Sequence, residues 1–234
     1  MPKGDLVADV VGTIAAHWDG RAATFDDEPD HGLADPATRE AWRHRLSQWL
    51  PDPPARVADV GCGTGSLAVL LATMGYDVTA SDISPEMVER ARHKVAAANV
   101  IVEVAVADAA SPKLPARSVD VVLVRHLAWT LPDPLAAIAQ WAALLRPAGR
   151  LVMVEGRWGT PSQDDEGEGD ATDHGDYAPV HHALPWYGGV DAATLVPALR
   201  ERFARVDHYD LSDEAVLWGR EVHDERFAVV AQAG

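Results

Sequence analysis

The chain has a single cysteine, few rings other than tryptophan, and no cluster of positive charge. Each shortage excludes something. One thiol, Cys62, cannot close an intramolecular disulfide and suits a reducing compartment. Formal net charge is −16, lysine is scarce, and the arginines never gather into a run. Such a surface is a poor match for phosphate backbones or anionic lipid, so neither nucleic acid nor a membrane is expected as a partner. No apolar run approaches the ~20 residues that span a bilayer. The first residues lack the charged-then-apolar plan of a secretory leader. A cytoplasmic protein, monomer or homodimer, is expected. No internal repeat is visible.

What is present fits one sizeable α/β domain: 234 residues, 47% of them hydrophobic. Helical spacing of apolar residues from Leu6 predicts a first helix to about Trp18. Asp35-Pro36 reads as N-cap and N1 of a second, with Trp42, Leu46, Trp49 and Leu50 on one face. From Arg56 strands and helices alternate. Strands are expected at 57–60, 77–81, 100–106, 119–124 and 150–154, then 206–211 and 227–231, the last two as a hairpin at the sheet edge. Helices are expected to 75, over 84–98, 134–145 and 191–203. A repeated βα unit implies a doubly wound, mostly parallel sheet. Residues 158–183 break the pattern. Seven carboxylates lie there among glycines, which predicts a solvated, mobile acidic loop. The ordered spacing of a calcium loop is absent, and no metal site is expected anywhere.

The chain is organised around Val57–Leu71, a buried strand, a turn with Gly61, Gly63 and Gly65, and an apolar helix. Glycine lets a backbone approach a ligand closely, and the helix start offers free N–H groups. Two further features sit after the next strands. Asp82 follows strand 2, where an acid can accept hydrogen bonds from a ribose diol. Asp108-Ala109 follows strand 3, where a carboxylate can receive an adenine amine. Together, at the carboxyl ends of three strands, they point to an adenosine-bearing ligand. A dinucleotide fingerprint would need its third glycine at residue 66, which is serine.

Here the sequence resembles a family. Asp59-Val60-Gly61-Cys62-Gly63-Thr64-Gly65 resembles motif I of class I S-adenosylmethionine-dependent methyltransferases. Ser81–Met87 is similar to their second motif, Ala107-Asp108-Ala109 to the adenine-contacting motif, and Leu145–Leu151 to the turn into strand 5, with Ala148 where glycine is commoner. The resemblance covers about 56–156 well and the last third loosely. It implies a Rossmann-like seven-stranded sheet in the order 3-2-1-4-5-7-6 with strand 7 antiparallel, an N-terminal helical lid over residues 1–54, and a catalytic domain over 55–234. It implies S-adenosyl-L-methionine as cofactor and S-adenosyl-L-homocysteine as product. By position, Asp59 would meet the methionine amino group, and Gly61, Cys62, Gly63 and Gly65 would pack on methionine and ribose. Asp82 would hold the ribose, Ile83 and Met87 lie in the second motif, Asp108 and Ala109 flank the adenine, and the Arg125 carbonyl would approach the amino group. Cys62 itself reads as a small buried hydrophobe.

The family donor is already activated, so the protein must align the acceptor and remove any proton. His126 and Glu155 are the candidate catalytic residues. His126 can be a general base or a loop support; Glu155 can meet a cationic acceptor, take a proton, or partner Arg125 or Arg157. Candidate walls of the acceptor pocket are Trp18, Phe25 and His31 on the lid segment, with Trp129, Trp158, Trp186 and Tyr187. Trp42, Trp49 and Trp141 read as core. The expected function is methyl transfer to C, N or O of a small, planar or hydrophobic acceptor. The alternatives are a nicotinamide-dependent reductase and a non-catalytic S-adenosylmethionine-binding subunit. Arsenite methylation lacks its cysteines, and a catechol-type metal set cannot be assembled.

Overall fold

Seven strands form one sheet in the order β3-β2-β1-β4-β5-β7-β6. The computed structural model describes residues 3–158 and 180–234, so most of the acidic loop expected at 158–183 lies outside the described residues. β1 (Arg56–Val60), β2 (Asp77–Asp82), β3 (Val102–Val106), β4 (Val119–Arg125) and β5 (Leu145–Arg157) run parallel. β7 (Glu225–Gln232) is antiparallel to both β5 and the edge strand β6 (Arg205–Asp210). This is the sheet that the family resemblance implied.

Side-chain alternation divides the core in two. On one face Val57, Val121, Leu123, Val152 and Val154 join α3 (Pro36–Trp49), α4 (Ser66–Thr73), α5 (Pro85–Ala98) and α8 (Ala215–Trp218). On the other, Ala58, Val122, Val124, Leu151 and Met153 meet α6 (Pro134–Leu144) and α7 (Ala192–Arg200). Helix starts obey their capping chemistry. Asp35, Ser84, Asp133 and Asp191 each accept a backbone N–H of the first turn. Trp42, Trp49 and Trp141 are fully buried, as read from their helix faces.

Element edges differ where pairing overrides local pattern. β5 begins at Leu145 rather than residue 150, because Leu145 pairs with Val119 and the turn through Ala148 is accommodated as a register shift. α1 (Lys3–Arg21) continues past Trp18, and its Asp19 accepts from Ser84 Oγ at 2.5 Å and the Glu86 N–H at 3.1 Å. A 3-10 turn (Phe25–Asp27) and α2 (Pro29–Gly32) follow. No helix among the described residues is long and apolar enough to cross a membrane.

Trp141 tests the second core layer. Its indole fills that layer and donates to the Ala109 carbonyl at 2.8 Å. Trp141→Ala is expected to lower unfolding free energy by about 3–5 kcal/mol through cavity formation. Trp141→Phe, which loses chiefly the hydrogen bond, should cost about 1–2 kcal/mol. Urea denaturation measures both.

Candidate active site

The reversal from β1 into α4 runs through three left-handed glycines, with φ of 72° at Gly61, 54° at Gly63 and 79° at Gly65. A side chain at any of them would be strained. It would also collide. A Cβ on Gly61 would lie 2.7 Å from Leu127, one on Gly63 3.0 Å from Phe25, and one on Gly65 2.8 Å from Ala91. The Ser81 carbonyl accepts the N–H groups of Gly61 and Cys62, which ties the turn to the end of β2.

Three acids stand at the strand ends. Asp82 accepts the Gly63 N–H on one oxygen and the Ser84 N–H on the other, at 2.8 and 2.9 Å. It therefore holds the glycine turn itself, and burial raises its pKa despite these bonds. Asp59 is buried, and its Oδ2 has no hydrogen-bond partner. Burial pushes its pKa up to about 7; Arg125 opposes this and Asp82 adds to it. Asp108 accepts the Ala110 N–H at 2.8 Å, and Ala109 is buried. Ile83 packs against a third cluster with Val10, Ile14 and Trp129. Met87 is fully buried in the first turn of α5. Cys62 packs on the core, and burial raises its thiol pKa well above the ordinary value, so it is no nucleophile.

The lid segment lies directly on this turn. Thr64 Oγ1 donates to Asp26 at 2.5 Å, and Lys94 of α5 binds Asp26, Thr64 and Ser66. Phe25 covers Gly63 and stacks on His31, ring centroids 4.3 Å apart. The Arg125 guanidinium leaves the sheet, donates to the Asp30 carbonyl at 2.6 Å and lies over Trp42.

Beyond the turn the structure brings the predicted wall residues together. Trp18 meets Phe25 and Trp129 edge-on; Trp129 meets Trp158 and Tyr187. Trp186 packs beside them. His126 lies at their centre, 4.8 Å from Trp158 and 6.3 Å from His31 between ring centroids. Its φ is 53°, a conformation that costs a non-glycine residue about 1–2 kcal/mol. Its Nε2 is shielded from solvent without a partner. Burial, then Arg226 and Arg125, lower its pKa well below the ordinary value, so the imidazole is neutral. Glu155 is fully buried, and its Oε1 accepts the N–H groups of Leu127 and Ala128. It holds the β4 exit loop from beneath.

Several neighbours were missed. Trp218 stacks on His126 at 5.8 Å, and Arg226 lies over both Trp158 and Trp218 while paired with Asp224. Arg226 reaches the site because β7 pairs with β5, setting it opposite Gly156, and Trp218 because α8 packs it on Trp42, with its indole donating to the Leu211 carbonyl; no local motif marks them. Lys94 and Asp30 also carry no signal at the level of sequence.

Residues 58–153, from β1 into β5, match the family described as a methyltransferase domain. Over these residues the chain is similar to methyltransferase domains. A ubiquinone biosynthesis O-methyltransferase of Xanthomonas campestris is 40% identical over 104 residues, 43% of each chain. An uncharacterized methyltransferase of Mycobacterium tuberculosis is 41% identical over 127 residues, 52% of this chain and 47% of that one. The alignments thus span less than half the length of these relatives. The solved N-methyltransferase NodS from Bradyrhizobium japonicum, in complex with S-adenosyl-L-homocysteine, superimposes with a TM-score of 0.62 over 94% of this chain and 97% of that one. Identity there is 17%, which speaks for the fold alone.

Two observations fit the glycine turn to an S-adenosylmethionine-type ligand. The orphaned Asp59 Oδ2 suits an ammonium donor, and the glycine turn is a surface that side chains would fill.

Glu155 supplies a test. Burial pushes its pKa from 4.5 to about 8. A carboxyl raised in the folded state favours folding fully below the unfolded pKa and loses that contribution as pH rises through the folded one. Stability should therefore fall between pH 4.5 and 8, by at most about 1.4 kcal/mol per pH unit from this group. Glu155→Gln should flatten that slope in denaturation curves taken across the window. An unchanged slope would exclude Glu155 as its source.

Proposed function

We propose that the protein transfers the methyl group of S-adenosyl-L-methionine to a C, N or O atom of a small organic acceptor, with S-adenosyl-L-homocysteine as product. The observation that carries the donor half is a buried, unpaired Asp59 oxygen beside three glycines held at positive φ. When bound, the cofactor supplies an electrophilic methyl group. Asp59 holds its amino group, assisted by the Arg125 carbonyl. Gly61, Cys62, Gly63 and Gly65 line the methionine and ribose. Asp82 holds the ribose hydroxyls while bracing the turn. Ile83, Met87, Asp108 and Ala109 enclose the adenine.

The acceptor half rests on the ring cluster. Trp18, Phe25 and His31 form one wall, and Trp129, Trp158, Trp186 and Tyr187 the other. Flat apolar walls favour a planar acceptor and exclude water from the reaction. The N-terminal helical segment expected over residues 1–54 serves as the lid, closed through Asp26 and Lys94. Neutral His126 stands on the acceptor side, able to accept a proton at Nε2 from an acceptor that carries one. Glu155 is a positioning residue: it fixes the Leu127–Ala128 turn from which Trp129 projects. The ubiquinone-biosynthetic relative fits a ring-bearing acceptor, and a small-molecule enzyme of the cytoplasm is the setting that agrees with the acidic chain.

Calorimetric titration with S-adenosyl-L-homocysteine tests the donor half. Asp82→Ala should weaken binding by about 1–3 kcal/mol, the loss expected for charge-assisted hydrogen bonds. Tight NAD(P) binding without S-adenosyl-L-homocysteine binding would refute the reading. Affinity should also depend on pH. An ammonium needs Asp59 ionised, so affinity is full above about pH 7 and falls as pH drops below it. A flat profile from pH 5.5 to 8 would separate Asp59 from the amino group.

A further inference from the structure

We infer that Asp30, His31 and His126 form a binding site for one divalent transition-metal ion of the zinc class, joining the lid to the end of β4. One ligating atom from each residue lies within 4.8 Å of the other two. The three come from opposite sides of the closure: Asp30 and His31 from α2, His126 from the residue after β4. Nothing in their spacing along the chain announces this, since His126 follows the Asp30-His31 pair by 95 positions (126 − 31).

Each residue is prepared for the role. His126 holds a left-handed backbone conformation, uncommon for a non-glycine residue. Its Nε2 is buried without a partner. His31 faces the Phe25 carbonyl through Nδ1 at 3.3 Å, the contact by which ligating histidines are commonly oriented, and its Nε2 lies 3.9 Å from Asp30 Oδ2. Asp30 is buried, and its own carbonyl is held by Arg125 at 2.6 Å. Two imidazoles and one carboxylate suit zinc and its neighbours; magnesium and calcium call for oxygen ligands. Arg125 and Arg226 oppose a second cation here. Asp30 and the buried Asp59 offset Arg125, and Asp224 offsets Arg226.

Zinc bonds of about 2.0–2.2 Å set ligand atoms roughly 3.3 Å apart, so the atoms, now within 4.8 Å, draw together by up to about 1.5 Å around an ion. The approach falls on the side chains of Asp30, His31 and His126, because the α2 backbone is tied to β4 through Arg125 and to α4 through Ser66. Three protein ligands leave a coordination position for an acceptor atom or water. The ion would thus fasten the lid and offer a point of attachment between the aromatic walls. An ion held there would occupy His126 Nε2, so the ring could accept no proton while the ion is bound.

Titration of the full chain with Zn²⁺ alone, followed by calorimetry and by Co²⁺ absorption, tests the site without reference to activity. One ion per chain is expected. Asp30→Asn, His31→Ala and His126→Ala should each weaken binding at least tenfold. His93→Ala, an exposed residue paired with Glu89, should leave it unchanged. Circular dichroism of each metal-free variant checks folding; if His126→Ala does not fold, His31→Ala on the short α2 segment decides. Absence of Zn²⁺ binding, or binding undiminished in all three variants because the ion sits elsewhere, as at the adjacent His181 and His182, would overturn the inference. S-adenosyl-L-homocysteine is titrated separately. Loss of that binding with Zn²⁺ retained would count against the proposed transfer and leave the metal site standing.

Discussion

The whole site depends on a backbone reversal that only glycine permits. Between β1 and α4 the chain turns through three positive φ angles within five residues, each with another side chain pressed against the missing Cβ. Asp82 fixes that turn by accepting the Gly63 N–H, and the same carboxylate caps the start of the next segment through Ser84. Turn, second strand and lid are therefore one mechanical unit. Asp19 from α1 reaches Ser84, Asp26 reaches Thr64, and Lys94 gathers Asp26, Thr64 and Ser66. Few exposed contacts of this kind are strong singly; here several share partners at a partly buried junction.

Around that junction, burial governs the charges. Asp59 and Glu155 sit in places where the ionised form is disfavoured, and His126 where the protonated form is. Glu155 accepts the N–H groups of Leu127 and Ala128 on one oxygen, and Asp59 accepts the Ala68 N–H, yet one oxygen of each carboxylate has no partner. Buried polar atoms without partners are rare in folded proteins and tend to mark functional positions. Asp59 Oδ2 at the end of β1 and His126 Nε2 just past β4 are two such atoms.

How much of this was legible depended on whether the signal was local. The glycine turn, the caps at Asp35 and Ser84, and the valine-rich β4 are short-range features, and each stands where the sequence pattern put it. The strand order came from resemblance rather than from pattern, and the sheet agrees. The aromatic walls were nameable because tryptophan next to a strand end is conspicuous. What escaped was long-range. Glu155 was read as a group facing the cleft or pairing with Arg125 or Arg157, whereas it accepts backbone N–H groups from a loop 27 and 28 residues away. Arg226 arrives through antiparallel pairing of the last strand, Trp218 through packing of α8 on Trp42, and Asp30 and His31 meet His126 only after the N-terminal segment has folded back. Spacing along a chain does not encode such meetings.

β7 is the strand that runs against the others, and it enters between β5 and β6. Its Arg226 touches Trp158 and Trp218, yet β7 pairs only with β5 and β6, at a distance of three strands from the glycine turn on β1. The Gly61–Gly65 turn and the Trp158–Arg226–Trp218 stack thus stand on different parts of one sheet. A substitution at Arg226 can undo that stack without removing any hydrogen bond that holds the glycine turn, so the two ends of the sheet are free to vary independently.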